Sequence, residues 1–265
     1  MYLKHFGLTR HPFAKDLPPD ELFISSSGRE LETRLGHLVD LRSVGLITGE
    51  VGSGKTTLCR KVMSGLHTGL YRVLYVPLTT GNPMDMYKSI AWELGLATER
   101  SRSALYRRIQ DEVTRLSQEA RTRPVLVVDE AQHLRSDVLE DLRLLTNYEM
   151  DSQNRLCLLL IGQAELRRRL SMAVHESLNQ RIVVRHHLAG LSREELPLYL
   201  VHLLRLAGTE LPLFEPASIE AIFQATSGLP RKVNLLAHHS LMAAALTKAR
   251  MVTAEHVQSA LPEAS

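Results

Sequence analysis

The stretch Gly49-Glu50-Val51-Gly52-Ser53-Gly54-Lys55-Thr56 concentrates more chemistry than any other part of the chain. Gly49, Gly54, Lys55 and Thr56 stand at the fixed positions of a phosphate-binding loop. Glycines let the backbone curl until successive N–H groups point inward at phosphate oxygens. A helix that follows adds the positive end of its dipole. Lys55 reaches the outer phosphates as a mobile point charge, and the Thr56 hydroxyl is a ligand for Mg²⁺. Thr57, the next helical residue, borders the nucleotide without touching the metal.

Asp129-Glu130 closes the apolar run Val125-Leu126-Val127-Val128. Such a run predicts a central parallel strand buried on both faces. Side chains at its C-terminal end emerge where open α/β sheets bind ligands. Asp129 is then placed to hold Mg²⁺, directly or through water, and Glu130 to orient and polarise an attacking water. An Asp-Glu pair alone says little; behind a buried strand and downstream of a phosphate loop it points to hydrolysis of a nucleoside triphosphate. His133 completes no common metal-ligand spacing with these carboxylates and reads as structural, as do His186-His187 and His238-His239.

These residues need a scaffold, and the hydrophobic pattern supplies one. Residues 44–48 form a short apolar run into the loop, and Leu58, Val62 and Met63 give the helix after it an apolar face. Strands are predicted at 71–76 and 155–161, and helices at 86–94, 101–120 and 137–147, with another opening at Glu165. A helix from Arg29 carries Leu31, Leu35, Leu38 and Leu41 on one side. Residues 1–28 are broken by prolines and serines, yet Tyr2, Phe6, Phe13, Leu22 and Phe23 predict that they pack on the domain. Residues 177–188 complete the first domain without a clear element. From Leu191 the pattern is all helix, punctuated by Gly208, Pro212, Pro216, Gly228 and Pro230.

The 265 residues suffice for one α/β domain and a small helical attachment, and a 44% hydrophobic content implies an ordinary core. The net charge of +3 neither demands nor excludes a nucleic-acid partner. Cys59 and Cys157 fall in a predicted helix and strand, as small buried residues in a reducing compartment. No run approaches the ~20 apolar residues that span a bilayer, and the N-terminus lacks a signal-peptide core, so a cytoplasmic protein with no membrane contact is expected.

The ordered set of motifs resembles the AAA+ ATPases, and within them the ExeA/IstB/TniB-like group that includes ATPases of Mu-type and related transposons. Its carriers are Phe6-Gly7-Leu8, Pro12-Phe13, Gly49 to Thr56, Val127 to Leu134, Ile161-Gly162-Gln163, Leu178 to Ile182 and Gly228 to Asn234. The resemblance implies a P-loop NTPase with a parallel sheet flanked by helices, followed by a small helical lid. The expected division is an N-terminal segment near the nucleotide (1–28), the α/β ATPase domain (29–190) and the lid (191–265). ATP and Mg²⁺ are the implied cofactors. Gln163 is similar to the polar sensor facing the γ-phosphate. Arg181 resembles the arginine finger offered to ATP on a neighbouring subunit of a homo-oligomer, and Arg231 the second sensor. Without the resemblance both arginines read as surface salt bridges.

Within that group the expected role is regulation of DNA transposition. ATP-bound subunits would assemble on duplex DNA, without sequence preference, and engage a transposase and a target-selection protein. Candidate DNA contacts are Arg100, Arg102, Arg107 and Arg108, or Thr79 and Thr80 with Gly81 and Asn82. A solvated mixed-charge helix face is the competing account of those arginines. The alternatives are an ExeA-type secretion-associated ATPase and a nucleotide-gated switch without turnover. ExeA-type relatives continue into a membrane segment and a peptidoglycan-binding domain, so a chain ending at Ser265 is expected to favour transposition. Glu130 weighs against a pure switch.

Overall fold

The computed structural model describes residues 2–14, 17–77 and 82–263. In chain order it forms α1 (Tyr2–Phe6), α2 (Ser26–Leu41), β1 (Val44–Thr48), α3 (Lys55–Ser64), β2 (Tyr71–Val76) and α4 (Pro83–Glu93). There follow α5 (Arg102–Gln118), β3 (Arg123–Val128), α6 (Ser136–Leu145), β4 (Cys157–Gly162), α7 (Ala164–Leu170), α8 (Glu176–Arg181) and β5 (Ile182–His187). The last helices are α9 (Glu195–Leu206), α10 (Pro216–Thr226), α11 (Pro230–Leu246) and α12 (Ala254–Ala260). The chain divides into two compact units. One comprises Gly28–Gly49 and Lys55–Leu188; the other comprises the residues up to Ser27, Glu50–Gly54 and those from Ala189 on.

The first unit is built on a five-stranded sheet in the order β2-β3-β4-β1-β5, with every pairing parallel. The three inner strands are buried almost throughout, which is why they read as unbroken apolar runs. Tyr87, Ile90, Leu105, Ile109, Leu139 and Leu142 pack from α4, α5 and α6 into the same core as Leu126, Val128, Leu158 and Leu160. Burying one such side chain is worth about 1.5–3 kcal/mol, so these helix faces hold the sheet's flank. Both cysteines are buried, and burial is the main cause that pushes each thiol up to about 12. They stay protonated and unreactive near neutral pH.

Three expectations need correction here. Leu41 is 42% exposed; α2 buries Leu31, Leu35, Leu38 and Val39, and its last residue faces solvent. Residues 182–187 form a fifth strand whose burial alternates, inward at Ile182, Val184 and His186 and outward between them. That alternation marks a half-exposed edge, and polar residues at 185–187 disguised it. Residues 1–28 are not irregular throughout, since α1 and the start of α2 lie within them.

The second unit has its own core, in which Leu196, Leu200, Leu203, Val233, Leu236, Leu241 and Val257 meet Tyr2, Phe6 and Leu8. The N-terminal residues are therefore part of this helical unit's interior rather than a separate segment. Backbone and side-chain bonds fasten them: the Thr9 N–H donates to the Ala207 carbonyl at 2.8 Å, and the Tyr2 hydroxyl lies 3.1 Å from both His11 Nδ1 and His238 Nδ1.

Candidate active site

Parallel pairing brings the C-terminal ends of the inner strands to one edge of the sheet. Thr48 of β1 is in register with Gly162 of β4, and Val128 of β3 with Leu160 of β4 and Val76 of β2. β4 thus lies between the strand that feeds the phosphate loop and the strand that ends at Asp129. Across that gap, the exposed Thr56 hydroxyl at the start of α3 donates to Asp129 Oδ2 at 2.8 Å. Two hard oxygens so spaced match neighbouring ligand positions around Mg²⁺, about 2.9 Å apart for metal–oxygen bonds of about 2.05 Å. Lys55, largely buried, donates from Nζ to the Gly49 carbonyl at 2.9 Å, which turns its side chain back toward the end of β1.

Asp129 is only 5% exposed and is held on both oxygens. The Tyr75 hydroxyl donates to Oδ2 at 3.1 Å, and the Glu130 N–H donates to Oδ1 at 2.8 Å. Burial, then the Asp129 charge, pushes the Tyr75 phenol up to about 12, so it remains a donor at neutral pH. Tyr75 was not singled out from the sequence; its signal was a polar-tipped aromatic one residue before the end of β2.

Glu130 is exposed and adopts φ 51°, ψ 35°, a left-handed conformation costly for a residue with a β-carbon. Its carboxylate accepts from Gln132 Nε2 at 2.6 Å, while Gln132 Oε1 accepts from the Gln163 N–H at 3.1 Å. One buried amide therefore ties the acidic residue after β3 to the polar residue after β4. Gly162 makes room for it: a β-carbon there would stand 2.8 Å from Gln132 Oε1. Gln132 lay within the quoted motif, but sequence reasoning gave it no role.

In the helical unit, residues Glu50–Gly54 of the loop meet the start of α11. The Arg231 N–H donates to the Gly52 carbonyl at 3.2 Å, and Gly52 has φ +83°. A β-carbon on Gly52 would sit 2.6 Å from the β-carbon of Arg231, so glycine is required both by conformation and by contact. The Ser53 hydroxyl oxygen is buried without a hydrogen-bond partner, an acceptor or donor left for a bound group. Glu50 and Val51 are exposed on the loop, and Thr57 is partly buried on α3.

The remaining candidates lie elsewhere. Arg181 donates from Nη2 to Asp151 Oδ2 at 2.6 Å within its own chain. Arg102 is ion-paired with Asp141, and Arg108 with Glu99 at 2.9 Å, so two of the four candidate DNA arginines are engaged locally. Arg100 and Arg107 are exposed. Thr79, Thr80 and Gly81 lie outside the described residues, and Asn82 caps α4, accepting from the Met84 and Asp85 N–H groups. His133 is exposed, and among the described residues no three His, Cys, Asp or Glu side chains are placed to hold a metal. No described helix is long and apolar enough to cross a membrane.

Residues 39–170 match the family described as AAA domain. The fold also superposes on Cdc6p from Pyrobaculum aerophilum with a TM-score of 0.73 at 17% identity, covering 96% of this chain and 70% of that one. This is an AAA+ P-loop NTPase fold. Drosophila ORC bound to DNA gives 0.70 at 20% identity, over 98% of this chain and 65% of that one. The chain is also 36% identical over 247 residues to General secretion pathway protein A from Aeromonas hydrophila, covering 92% of this chain and 45% of that protein. It spans less than half the length of that curated relative. That relative's name is that of a secretion-pathway protein, the class of the secretion-associated alternative, and where this sequence ends carries no weight between the two readings.

Proposed function

We propose that the chain binds ATP with Mg²⁺ and hydrolyses it to ADP and phosphate, as the ATPase module of a secretion-linked protein of the General secretion pathway protein A type. The 2.8 Å contact of Thr56 with Asp129 carries the chemical reading, because it joins the phosphate loop to the acidic strand end through oxygens suited to Mg²⁺. The 36% identity carries the cellular one. Lys55 and the loop amides bind the phosphates, and Thr56 and Asp129 hold the cation, which neutralises charge on them. Glu130, oriented by Gln132, takes the proton from the attacking water, and Gln163 faces the reacting phosphate. Arg231 reports on the loop through Gly52, and Arg181 serves a second copy of the chain once assembly releases it from Asp151. The work is done on the cytoplasmic side, where ATP is supplied.

Phosphate release by the purified chain tests this directly. Turnover should need Mg²⁺ and vanish in K55A; turnover that is independent of Mg²⁺ or survives in K55A would overturn the assignment. Retention on duplex DNA at low salt separates the cellular readings. The secretion-linked reading expects no ATP-dependent retention, whereas ATP-dependent, salt-sensitive binding would return the chain to the transposition class.

A further inference from the structure

Besides Asp129, a second carboxylate is buried, and it has no role in the chemistry above. The side chain of Asp141 on α6 is 2% exposed. Its Oδ1 is held by the guanidinium of Arg102 and the Tyr87 phenol also bears on the carboxylate, while no hydrogen bond of good geometry reaches Oδ2. A buried carboxylate with an unused oxygen is costly, since each such group normally finds a donor. The cation that holds it is bound closely but stays open to solvent. The Arg102 side chain is 55% exposed and sits at the first residue of α5, where the helix dipole opposes positive charge. Beside the pair opens a cavity of about 540 Å³ lined by Tyr87, Tyr106, Ser101, Ser103 and Leu144 with Asp141 and Arg102 themselves. The two tyrosine rings meet edge to face, centroids 5.9 Å apart. Aromatic walls around a buried carboxylate form a receptor for a planar cation.

We infer that this cavity takes an arginine side chain from a partner protein, with Asp141 as its counter-ion and Arg102 as a placeholder that swings out. The partner's guanidinium satisfies both carboxylate oxygens in a bidentate pair, which Arg102 does not. Its stem lies along Tyr106 and Leu144, and the Ser101 and Ser103 hydroxyls meet its backbone.

N-acetyl-arginine amide, titrated into the full chain at low salt and followed by calorimetry, tests the inference. Wild type should bind weakly, and R102A at least ~10-fold more tightly, about the worth of one charge-assisted hydrogen bond. D141N should abolish binding in both backgrounds, and N-acetyl-norleucine amide should bind none of them. Equal affinity in wild type and R102A, or retained affinity in D141N, would overturn the proposal. If R102A folds poorly, its melting temperature supplies the readout. Arginine amide should restore it toward wild type and lysine amide should do so less; no rescue by arginine amide would mean Arg102 is a fixed structural strut and the cavity receives nothing.

Discussion

Gln132 grips Glu130 at 2.6 Å and with its other amide atom accepts from the backbone N–H of Gln163 at 3.1 Å. The residue assigned to activate water is therefore oriented by the strand end assigned to sense phosphate. Gln132→Ala should lower kcat ~10-fold or more while leaving the affinity for ATP nearly unchanged, since it removes orientation and no phosphate contact. Gly162→Ala should act alike by pushing the amide aside. Steady-state kinetics beside equilibrium nucleotide binding separates kcat from affinity; a parallel loss of both would place Gln132 in the binding site instead.

Thr56→Ala should raise the Mg²⁺ concentration needed for half-maximal turnover, because one of two adjacent oxygen ligands is gone. Thr57→Ala should leave that midpoint where it is. Magnesium titrations of phosphate release check both.

Arg181 is tied to Asp151 within its own chain, so its assigned role requires a partner to compete for it. Arg181→Ala should cut turnover ~10³-fold with ATP affinity retained, the size expected of an arginine that stabilises the transferring phosphoryl group. Mixing R181A with K55A chains should restore part of the activity, because each supplies what the other lacks across a shared site. Absence of complementation would leave Arg181 as the surface ion pair seen here.

Burial, then His239 and His11, holds His238 below its ordinary range. The folded chain binds fewer protons there than the unfolded one, so this contribution to stability is complete above pH ~6.5 and is lost as pH falls through the folded-state value. The groups facing it are Tyr2, His11 and His239, the last lying 2.8 Å from Glu263. Thermal melts should show a lower midpoint at pH 5.5 than at pH 7.5, and His238→Gln should flatten that dependence. Tyr2→Phe should cost about 1 kcal/mol at pH 7.5 by removing the shared hydroxyl.

The nucleotide-binding half of the fold was legible because its chemistry and its scaffold share one signal. Short, β-branched apolar runs such as Val125 to Val128 fit buried strands better than helices, and the polar residues that end them then lie at the sheet's edge. β5 escaped because an edge strand alternates, and Arg185, His186 and His187 blurred the alternation. α1 is only five residues long, too short for periodicity to register, and its place is set by burial of Tyr2 and Phe6. Tyr75 and Gln132 were invisible for a different reason. Their hydrogen bonds join residues on separate elements, and register and loop geometry, not local pattern, decide such contacts. The Arg102–Asp141 pair was unreadable on the same ground, since nothing in the pattern of α6 marks Asp141 as buried.

The most direct test of the central claim is Glu130→Gln, assayed for ATP binding and for single-turnover phosphate release. The account predicts that nucleotide affinity is retained while hydrolysis falls by ~10² or more, the loss typical of a missing general base. Hydrolysis at the wild-type rate would contradict it and move the water-activating group away from the end of β3.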